Sequence, residues 1–372
     1  MPSWRRLAND SDRYQGPRGA PSGSGCLSLV GLLFALPAAG LGLAWLKLGL
    51  SAWSALLALG LGLVALGCAL LGRRNRSGWR ALGAGLVLVL APCLARGLFT
   101  REGDSVRLTT LPADSGARLV STLYPESDGT IAAGALLQAV GRLHDEEAGQ
   151  FREILSQAYA RTEPSATNLA TPAIPTYLGL ETPSAFDTIV IQPPARSSGA
   201  RKPDAAVIFL HGYAGNFYVY CWELAQAAAE AKLITLCPSL DASGAWWTPA
   251  GSATLRASID YAHGLGAQRV YLAGLSNGAA GASELALEYQ RELSGLILIS
   301  GVRARTPPAM PVLVVQGTSD SMMPAPRARD YAARSSRVQY RELDGGHLIF
   351  LSRYQQVRPT IADFLRGLEK QR

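Results

Sequence analysis

Charged side chains are scarce in this sequence. Only 17 % of its 372 residues are Asp, Glu, Lys or Arg, whereas 48 % are hydrophobic, which is a high share for a purely soluble protein. The basic excess lies at one end: residues 1–101 hold eleven Lys or Arg and two Asp, a net charge of +9, and the remainder carries −2. The overall charge of +7 is therefore no evidence of a nucleic-acid surface, and no nucleic-acid partner is expected.

Histidine and cysteine are also scarce, with four and five copies. Their spacing matches no zinc-binding pattern, and we expect neither a metal nor a cofactor. Three cysteines, Cys26, Cys68 and Cys93, lie in apolar runs, whereas Cys221 and Cys237 lie in the part of the chain that reads as soluble.

Two long apolar runs follow a polar, basic tail of residues 1–25, which is predicted to be disordered. Cys26–Leu46 and Leu48–Leu71 are uncharged. A continuous helix over both would be about 70 Å long, far more than the roughly 30 Å of a bilayer core. A break near Lys47–Trp53 is expected, which gives two membrane spans joined by a short turn.

A third apolar run over residues 81–99 follows a strongly basic loop at residues 73–80. It is shorter and contains Pro92 and Arg96. The positive-inside rule places the tail and the basic loop in the cytoplasm. If the third run spans, the rest of the chain lies outside the cytoplasm; if it lies on the membrane surface, the rest is cytoplasmic. We favour three spans, and we assign residues 26–99 to the membrane, with the lipid bilayer as a partner.

Residues 100–185 read as a helical connector with a Pro- and Thr-rich linker. Apolar spacing predicts helices over Gly129–Leu143 and Glu146–Arg161. His144 falls at their junction and is predicted to lie in a solvated turn. Residues 162–184 are predicted to be extended. Whether this segment covers a functional site is left open by its sequence.

Short apolar runs alternate with helical stretches from residue 186 to the end of the chain. The run Ala205–Leu210 is typical of a strand buried on both faces of a parallel sheet. The alternation predicts right-handed crossovers and a mostly parallel α/β sheet flanked by helices, preceded by the transmembrane helices. The predicted strands are Phe186–Ile191, Ala205–Leu210, Leu233–Cys237, Arg269–Ala273, Leu296–Ser300, Val312–Gln316 and Val338–Leu343.

One of these strands feeds a turn of the form Gly-x-Ser-x-Gly. The strand Arg269–Ala273 leads into Gly274-Leu275-Ser276-Asn277-Gly278, and a helix of small residues follows. A serine on such a turn is held in a strained, exposed backbone conformation, and the glycines let strand and helix approach.

With this turn in place, residues 186–370 resemble an α/β-hydrolase domain, for which the family order is Ser, acid, His. The resemblance implies that Ser276 is a nucleophile. His347 is the one histidine after it, directly behind the predicted last strand, and would be the base. Asp320, in the loop after Val312–Gln316, would be the acid. Asp344 is a rival acid, but it lies three residues before His347 and reads as a turn residue.

The segment His211-Gly212-Tyr213 resembles the family's His-Gly-x motif. The resemblance implies an oxyanion hole made by the backbone N–H groups of Asn277 and Tyr213, with Ala214 as the second candidate in the loop. His211 would then be structural.

Trp246 and Trp247 lie in a loop at the carboxyl end of a strand, where ligands bind in open α/β sheets. They would line an acyl or leaving-group pocket, plug the domain edge or touch the membrane. Cys221 and Cys237 are predicted at the same face, as a disulfide if the domain is extracytoplasmic or as two unpaired thiols. Only about ten residues join Ser300 to the next strand, which leaves no room for a large cap insertion there.

The minimal form resembles dienelactone-hydrolase-like carboxylesterases and small lysophospholipase-like enzymes. We therefore expect a membrane-anchored serine hydrolase that cleaves small-molecule or lipid-derived carboxylic esters, with residues 186–372 as the catalytic domain. A serine peptidase of the prolyl-oligopeptidase type shares the triad but would have a large N-terminal propeller. An inactive hydrolase-fold binding module is disfavoured because all three triad positions hold competent residues.

Overall fold

The computed structural model describes residues 23–73, 75–99, 105–139, 141, 145–162, 170–194 and 203–371. The predicted tail lies outside this part of the chain except for its last three residues, as do His144 and residues 163–169 of the predicted linker. The described chain forms two compact units. One runs up to Leu43 and includes Ala55–Leu90; the other comprises Ala44–Ser54 and the described residues from Ala91 onward.

Three apolar helices occupy the predicted membrane region. They are α1 (Gly23–Leu48), α2 (Ala52–Gly72) and α3 (Ser77–Phe99), and each is long and apolar enough to cross a membrane. The helix ends at Leu48 and a new helix begins at Ala52, within the interval Lys47–Trp53 where a break was predicted. Gly49 has a φ of +66° there, a conformation that glycine adopts without steric cost.

Close approach of α2 and α3 explains part of the high glycine content. A Cβ atom at Gly67 would lie 2.6 Å from the backbone nitrogen of Leu82, and one at Gly85 would lie 2.6 Å from that of Val64. Small residues at such contacts let membrane helices pack backbone to backbone.

An eight-stranded sheet forms the centre of the second unit, in the order β1-β2-β4-β3-β5-β6-β7-β8. The pairs β1–β2 and β2–β4 are antiparallel, and the others are parallel. This confirms the predicted mostly parallel α/β sheet. The strands are β1 (Val106–Leu111), β2 (Phe186–Ile191), β3 (Ala205–Leu210), β4 (Ile234–Pro238), β5 (Arg269–Leu275), β6 (Leu293–Ile299), β7 (Val312–Gly317) and β8 (Val338–Leu343).

Helices cover both faces of the sheet. One hydrophobic core lies between the sheet and α7 and α12, and a second lies between the sheet and α8, α9 and α10. Burial on both faces is why the central strands are continuously apolar. The helices are α4 (Glu126–Ala139), α5 (Asp145–Arg161), α6 (Ala173–Tyr177), α7 (Tyr218–Glu230), α8 (Pro249–Gly264), α9 (Asn277–Glu288), α10 (Ala325–Ala332), α11 (Ile349–Ser352) and α12 (Tyr354–Lys370).

The connector contributes a strand that the sequence did not predict. β1 pairs with β2 along its whole length, from Val106 opposite Ile191 to Leu111 opposite Phe186, so the sheet begins 80 residues before the predicted domain boundary at 186. Its polar Thr110 is buried because the hydroxyl donates to Asp187 at 2.8 Å. A short helix, α6, lies in the segment that was predicted to be extended.

Candidate active site

Ser276 occupies the turn between β5 and α9. Its backbone has φ 56° and ψ −120°, a conformation that is strained for a residue with a side chain. The turn is tight because Gly278 lies against the end of β3, where a Cβ atom would come within 1.9 Å of the Leu210 carbonyl oxygen. The Gly-x-Ser-x-Gly turn thus has the strained serine and the close strand–helix approach that its sequence predicts.

The loops after β7 and β8 bring Asp320 and His347 together. Both residues are about 5–6 % exposed, and Nδ1 of His347 lies 2.9 and 3.0 Å from the two Asp320 carboxylate oxygens. A carboxylate can only accept, so Nδ1–H donates and Nε2 is the nitrogen that can take a proton. This tautomer suits a base for Ser276, which lines the same cavity as His347.

Backbone groups hold the Asp320 carboxylate in place. Oδ1 accepts hydrogen bonds from the backbone N–H groups of Met322 at 3.0 Å and Met323 at 2.8 Å, and Oδ2 accepts one from the side-chain amide of Gln316 at 2.9 Å. These donors satisfy the negative charge in a buried site.

Asp344 does not take part in this cluster. Its side chain is 93 % exposed and its carboxylate pairs with Arg353 at 3.3 Å. The geometry therefore favours Asp320 over the rival acid, in line with the turn position predicted for Asp344.

The two candidate oxyanion donors in the β3 loop differ in their partners. The N–H of Ala214 donates to the Ala242 carbonyl at 2.7 Å, so it is already engaged. This leaves the N–H of Tyr213 as the better donor beside that of Asn277, which begins α9. The Asn277 side chain is used elsewhere, as its amide donates to the Ser243 carbonyl at 2.8 Å.

His211 is built into the loop as a neutral residue. Its Nδ1–H donates to the Gly212 carbonyl at 2.8 Å, and its Nε2 accepts from the Leu240 N–H at 3.0 Å. Burial lowers its pKa to about 4. Because both ring nitrogens are engaged in the neutral form, His211 orders the β3 loop, as the resemblance implied.

The two adjacent tryptophans differ in their burial and contacts. Trp246 is fully buried; its indole N–H donates to the His211 carbonyl at 2.9 Å and its Cβ packs on Gly281. It therefore does not line a substrate pocket, which corrects the expectation for this residue. Trp247 does line a pocket beside Ser276, with the Arg303 guanidinium 4.4 Å from its ring centre.

Cys221 and Cys237 form a disulfide between α7 and β4. The sequence left this pairing and two free thiols as alternatives. The bridge ties the helix that follows the β3 loop to the neighbouring strand. Among the residues that the structure describes, no group of three or more His, Cys, Asp or Glu is placed to hold a metal ion.

Two pockets meet at Ser276. The inner pocket has a volume of about 60 Å³ and is mostly apolar; beside Ser276 and His347 its lining includes Phe209, Phe217, Tyr220, Leu275 and Phe350. The outer pocket has a volume of about 360 Å³ and is lined by Tyr213, Ser243, Ala245, Trp247, Ser276, Asn277, Met322 and Met323.

The connector forms one wall of the inner pocket. Thr130 and Gly134 of α4 and Phe151 of α5 line it. Sequence reasoning missed these residues, although it left open whether the connector covers the site. Apolar spacing placed Phe151 on the buried face of a helix but gave no sign of what that face would contact.

Glu126, at the start of α4, joins the connector to α7. Its carboxylate accepts hydrogen bonds from the hydroxyls of Tyr159 and Thr171 at 2.8 and 2.9 Å and from the Val219 N–H at 3.3 Å. Val219 lies in the first turn of α7, where a carboxylate is favourable and where Phe217 offers no side-chain cap. Burial nevertheless raises the pKa of Glu126.

A buried carboxylate holds the C-terminal end of α5 in place. Glu223 of α7 accepts hydrogen bonds from Arg161 of α5 at 3.0 Å and from Arg358 of α12 at 2.8 Å. The Arg161 guanidinium also lies 3.7 Å from the centre of the Tyr354 ring. The pocket wall is thus attached to the sheet domain at both ends.

No protein-family profile matches the chain, and no curated protein sequence matches it. Solved structures with a similar fold include Est1E from Butyrivibrio proteoclasticus, which is 15 % identical with a TM-score of 0.43 over 50 % of this chain and 95 % of that one. FphF, a fluorophosphonate-binding serine hydrolase from Staphylococcus aureus, is 16 % identical with a TM-score of 0.41 over 49 % and 93 %. An α/β serine hydrolase without lid from Xanthomonas campestris is 18 % identical with a TM-score of 0.40 over 50 % and 89 %. At TM-scores below 0.5 this likeness says nothing about the activity of this chain.

Proposed function

We propose that this protein is a membrane-anchored serine hydrolase that cleaves carboxylic esters through an acyl-enzyme on Ser276. The observation that carries the proposal is the placement of a strained serine on the same cavity as His347, which is hydrogen-bonded to the buried Asp320. A serine hydroxyl needs such a base to become a nucleophile, and Asp320 holds the base in the required tautomer.

The proposed reaction has two stages. Ser276 Oγ attacks the ester carbonyl carbon while His347 Nε2 takes its proton, and the N–H groups of Asn277 and Tyr213 stabilise the oxyanion. The bond to the alcohol oxygen then breaks, and the alcohol leaves with the proton from His347. Water, activated by His347 in the same way, releases the carboxylic acid and restores Ser276.

The lining of the inner pocket favours esters of uncharged acids over peptides with charged side chains. Among the described residues that line it, none is Asp, Glu, Lys or Arg. Small-molecule and lipid-derived esters both meet this condition. Turnover of amide substrates tests the serine peptidase alternative. Labelling of Ser276 by a fluorophosphonate tests the inactive binding module.

Two contacts support three spans. Ser51, in the turn between α1 and α2, donates to Asp128 of α4, and Arg96, near the end of α3, donates to the Thr122 carbonyl at 2.9 Å. With three spans, the α1–α2 turn and the end of α3 emerge on the same side as the hydrolase domain. With two spans, the turn and the domain would lie on opposite sides of the membrane, and Ser51 could not reach Asp128.

The Cys221–Cys237 disulfide supports an extracytoplasmic position for the domain. Disulfides persist outside the reducing cytoplasm. This agrees with the basic 73–80 loop on the cytoplasmic side. We therefore propose a multi-pass membrane protein with its hydrolase domain outside the cytoplasm.

A substrate panel tests the activity. Full-length protein in detergent is assayed with p-nitrophenyl esters and with p-nitroanilides of the same acids. We expect ester hydrolysis that Ser276→Ala abolishes. Equal or greater turnover of the anilides would favour a peptidase, and absence of turnover together with absence of fluorophosphonate labelling would favour a binding module. Digestion of the domain by protease added to spheroplasts tests the topology; full protection would contradict it.

A further inference from the structure

Phe151 of α5 is a bulky side chain that the connector contributes to the inner pocket. It is 9 % exposed and packs with Leu155 of its own helix and Phe217 of the β3 loop. Its ring lies directly on the backbone of α4 at Gly134, where a Cβ atom would come within 1.6 Å of the ring. Glycine at 134 is what lets the ring occupy this position.

The wall that carries Phe151 is held from several directions. In α4, Glu126 binds the first turn of α7 and Asp128 binds Ser51. In α5, Arg161 binds Glu223. Because close-packed side chains move little, a phenylalanine ring on such a wall limits the size of the ligand that the pocket accepts.

The inner pocket offers an apolar surface with few polar groups to bind. The Thr130 hydroxyl donates to the Glu126 carbonyl at 2.9 Å and lies 2.7 Å from the Tyr159 hydroxyl. Both nitrogens of His211 are engaged. Most of the remaining lining around Ser276 consists of aromatic and aliphatic faces.

We propose that the inner pocket binds the acyl group of the substrate and that Phe151 sets the length of acyl chain that is accepted. The acyl group stays bonded to Ser276 while water replaces the alcohol, so the alcohol side must admit water. The larger outer pocket, which includes the exposed Tyr213, suits that side. This assignment rests on the proposed ester hydrolysis and names the part of the ester that each pocket takes.

The volume of the inner pocket predicts a short acyl chain. Its volume of about 60 Å³ is small beside the 360 Å³ of the outer pocket. We expect the wild-type protein to prefer short acyl chains and its kcat/KM to fall for longer chains.

The test compares Phe151→Ala and Phe151→Leu with the wild type on p-nitrophenyl esters of two to twelve acyl carbons. Truncation opens the pocket, and each additional buried methylene raises kcat/KM about fourfold. The optimum is expected to move to longer chains in both variants, further in Phe151→Ala. Phe151→Leu removes less volume and keeps the test valid if the alanine variant fails to fold.

Ile154→Ala is the matched control, since Ile154 lies on the same helix and packs against the same cluster but lines a different groove, which does not include Ser276. Its acyl-length profile should match the wild type. A second series, acetate esters of alcohols of rising length, should not respond to Phe151→Ala. An unchanged acyl profile in folded variants, or a shift in the alcohol series instead, would overturn the assignment while leaving ester hydrolysis in place. A wild-type protein that neither turns over esters nor reacts with a fluorophosphonate would fail the proposed function itself.

Discussion

The carboxylate of Asp128 accepts hydrogen bonds from both the backbone N–H and the hydroxyl of Ser51, at 3.0 and 2.5 Å. Ser54 adds a third donor at 2.5 Å. Asp128 lies two residues before Thr130, which lines the inner pocket. The turn between two apolar helices is thus bonded to the helix that forms the wall of the site.

Loss of this carboxylate should loosen the wall. Asp128→Ala leaves the donors of Ser51 and Ser54 without their acceptor, and we expect the free energy of unfolding to fall by roughly 1–3 kcal/mol. KM for the preferred ester should rise, while the rate of fluorophosphonate reaction at Ser276 should change little. Thermal melting and ester kinetics in detergent measure both. Asp128→Asn keeps one acceptor oxygen and should lose less; an alanine variant equal to wild type in melting and KM would contradict this role.

The disulfide should contribute measurable stability. Cys221 and Cys237 are 16 residues apart, and closing a loop of this size is worth about 3 kcal/mol in the unfolded chain. We expect Cys221→Ala/Cys237→Ala to lower the melting temperature, and dithiothreitol to lower it in the wild type alone. A background without Cys26, Cys68 and Cys93 isolates the effect. Rapid alkylation of both thiols in cells without reductant would contradict the bridge.

The choice of acid can be tested at two aspartates. Asp320→Asn should lower kcat by roughly 10³–10⁴-fold, because an amide in place of the carboxylate no longer stabilises the His347 cation or its tautomer. Asp344→Asn, at an exposed residue, should stay within about twofold of wild type, since a surface pair with Arg353 contributes little. The assignment fails if the Asp344 variant shows the larger loss of kcat.

Acid should destabilise the protein through His211. Its pKa is lowered to about 4 by burial, against about 6.5 for an unperturbed histidine. The unfolded chain therefore binds the proton more tightly, and the stabilising effect of the neutral ring, present above pH 6.5, is lost as the pH falls toward 4. We expect the free energy of unfolding to fall by up to about 1.4 kcal/mol per pH unit in that window.

His211→Gln should flatten this part of the pH profile, whereas His263→Gln, at an exposed helical position, should not. Histidine hydrogen exchange followed by mass spectrometry reads the same pKa in the unmodified protein. A His211 pKa near 6.5 would contradict the neutral, hydrogen-bonded ring.

The sheet was predictable because its central strands are buried on both faces and therefore apolar throughout. Ala205–Leu210 and Phe186–Ile191 have the bounds that the sequence predicts. β1 was missed because Thr109 and Thr110 look polar in sequence, and their burial depends on Asp114 and Asp187, partners that no local pattern identifies. The connector wall was missed for a similar reason, because the Glu126 carboxylate accepts a hydrogen bond from Val219 of α7, 93 residues further along the chain.

The two tryptophans show where local reasoning ends. Trp246 and Trp247 share a loop, a residue type and a sequence context. In the structure the first packs on Gly281 and donates to the His211 carbonyl, whereas the second lines the pocket beside Ser276. The positions of Ser276, Asp320 and His347, by contrast, could be predicted because each follows a predicted strand and the family resemblance implies the order Ser, acid, His.

The central claim, that Ser276 is the nucleophile, is tested most directly by intact-protein mass spectrometry after reaction with a fluorophosphonate. Ser336 provides the control, since it is an exposed serine in the turn after α10. We predict one adduct per chain in the wild type and in Ser336→Ala, mapped to the peptide that contains Ser276, and none in Ser276→Ala. An equal adduct on Ser276→Ala, or an adduct mapped to another residue in the wild type, would contradict the account.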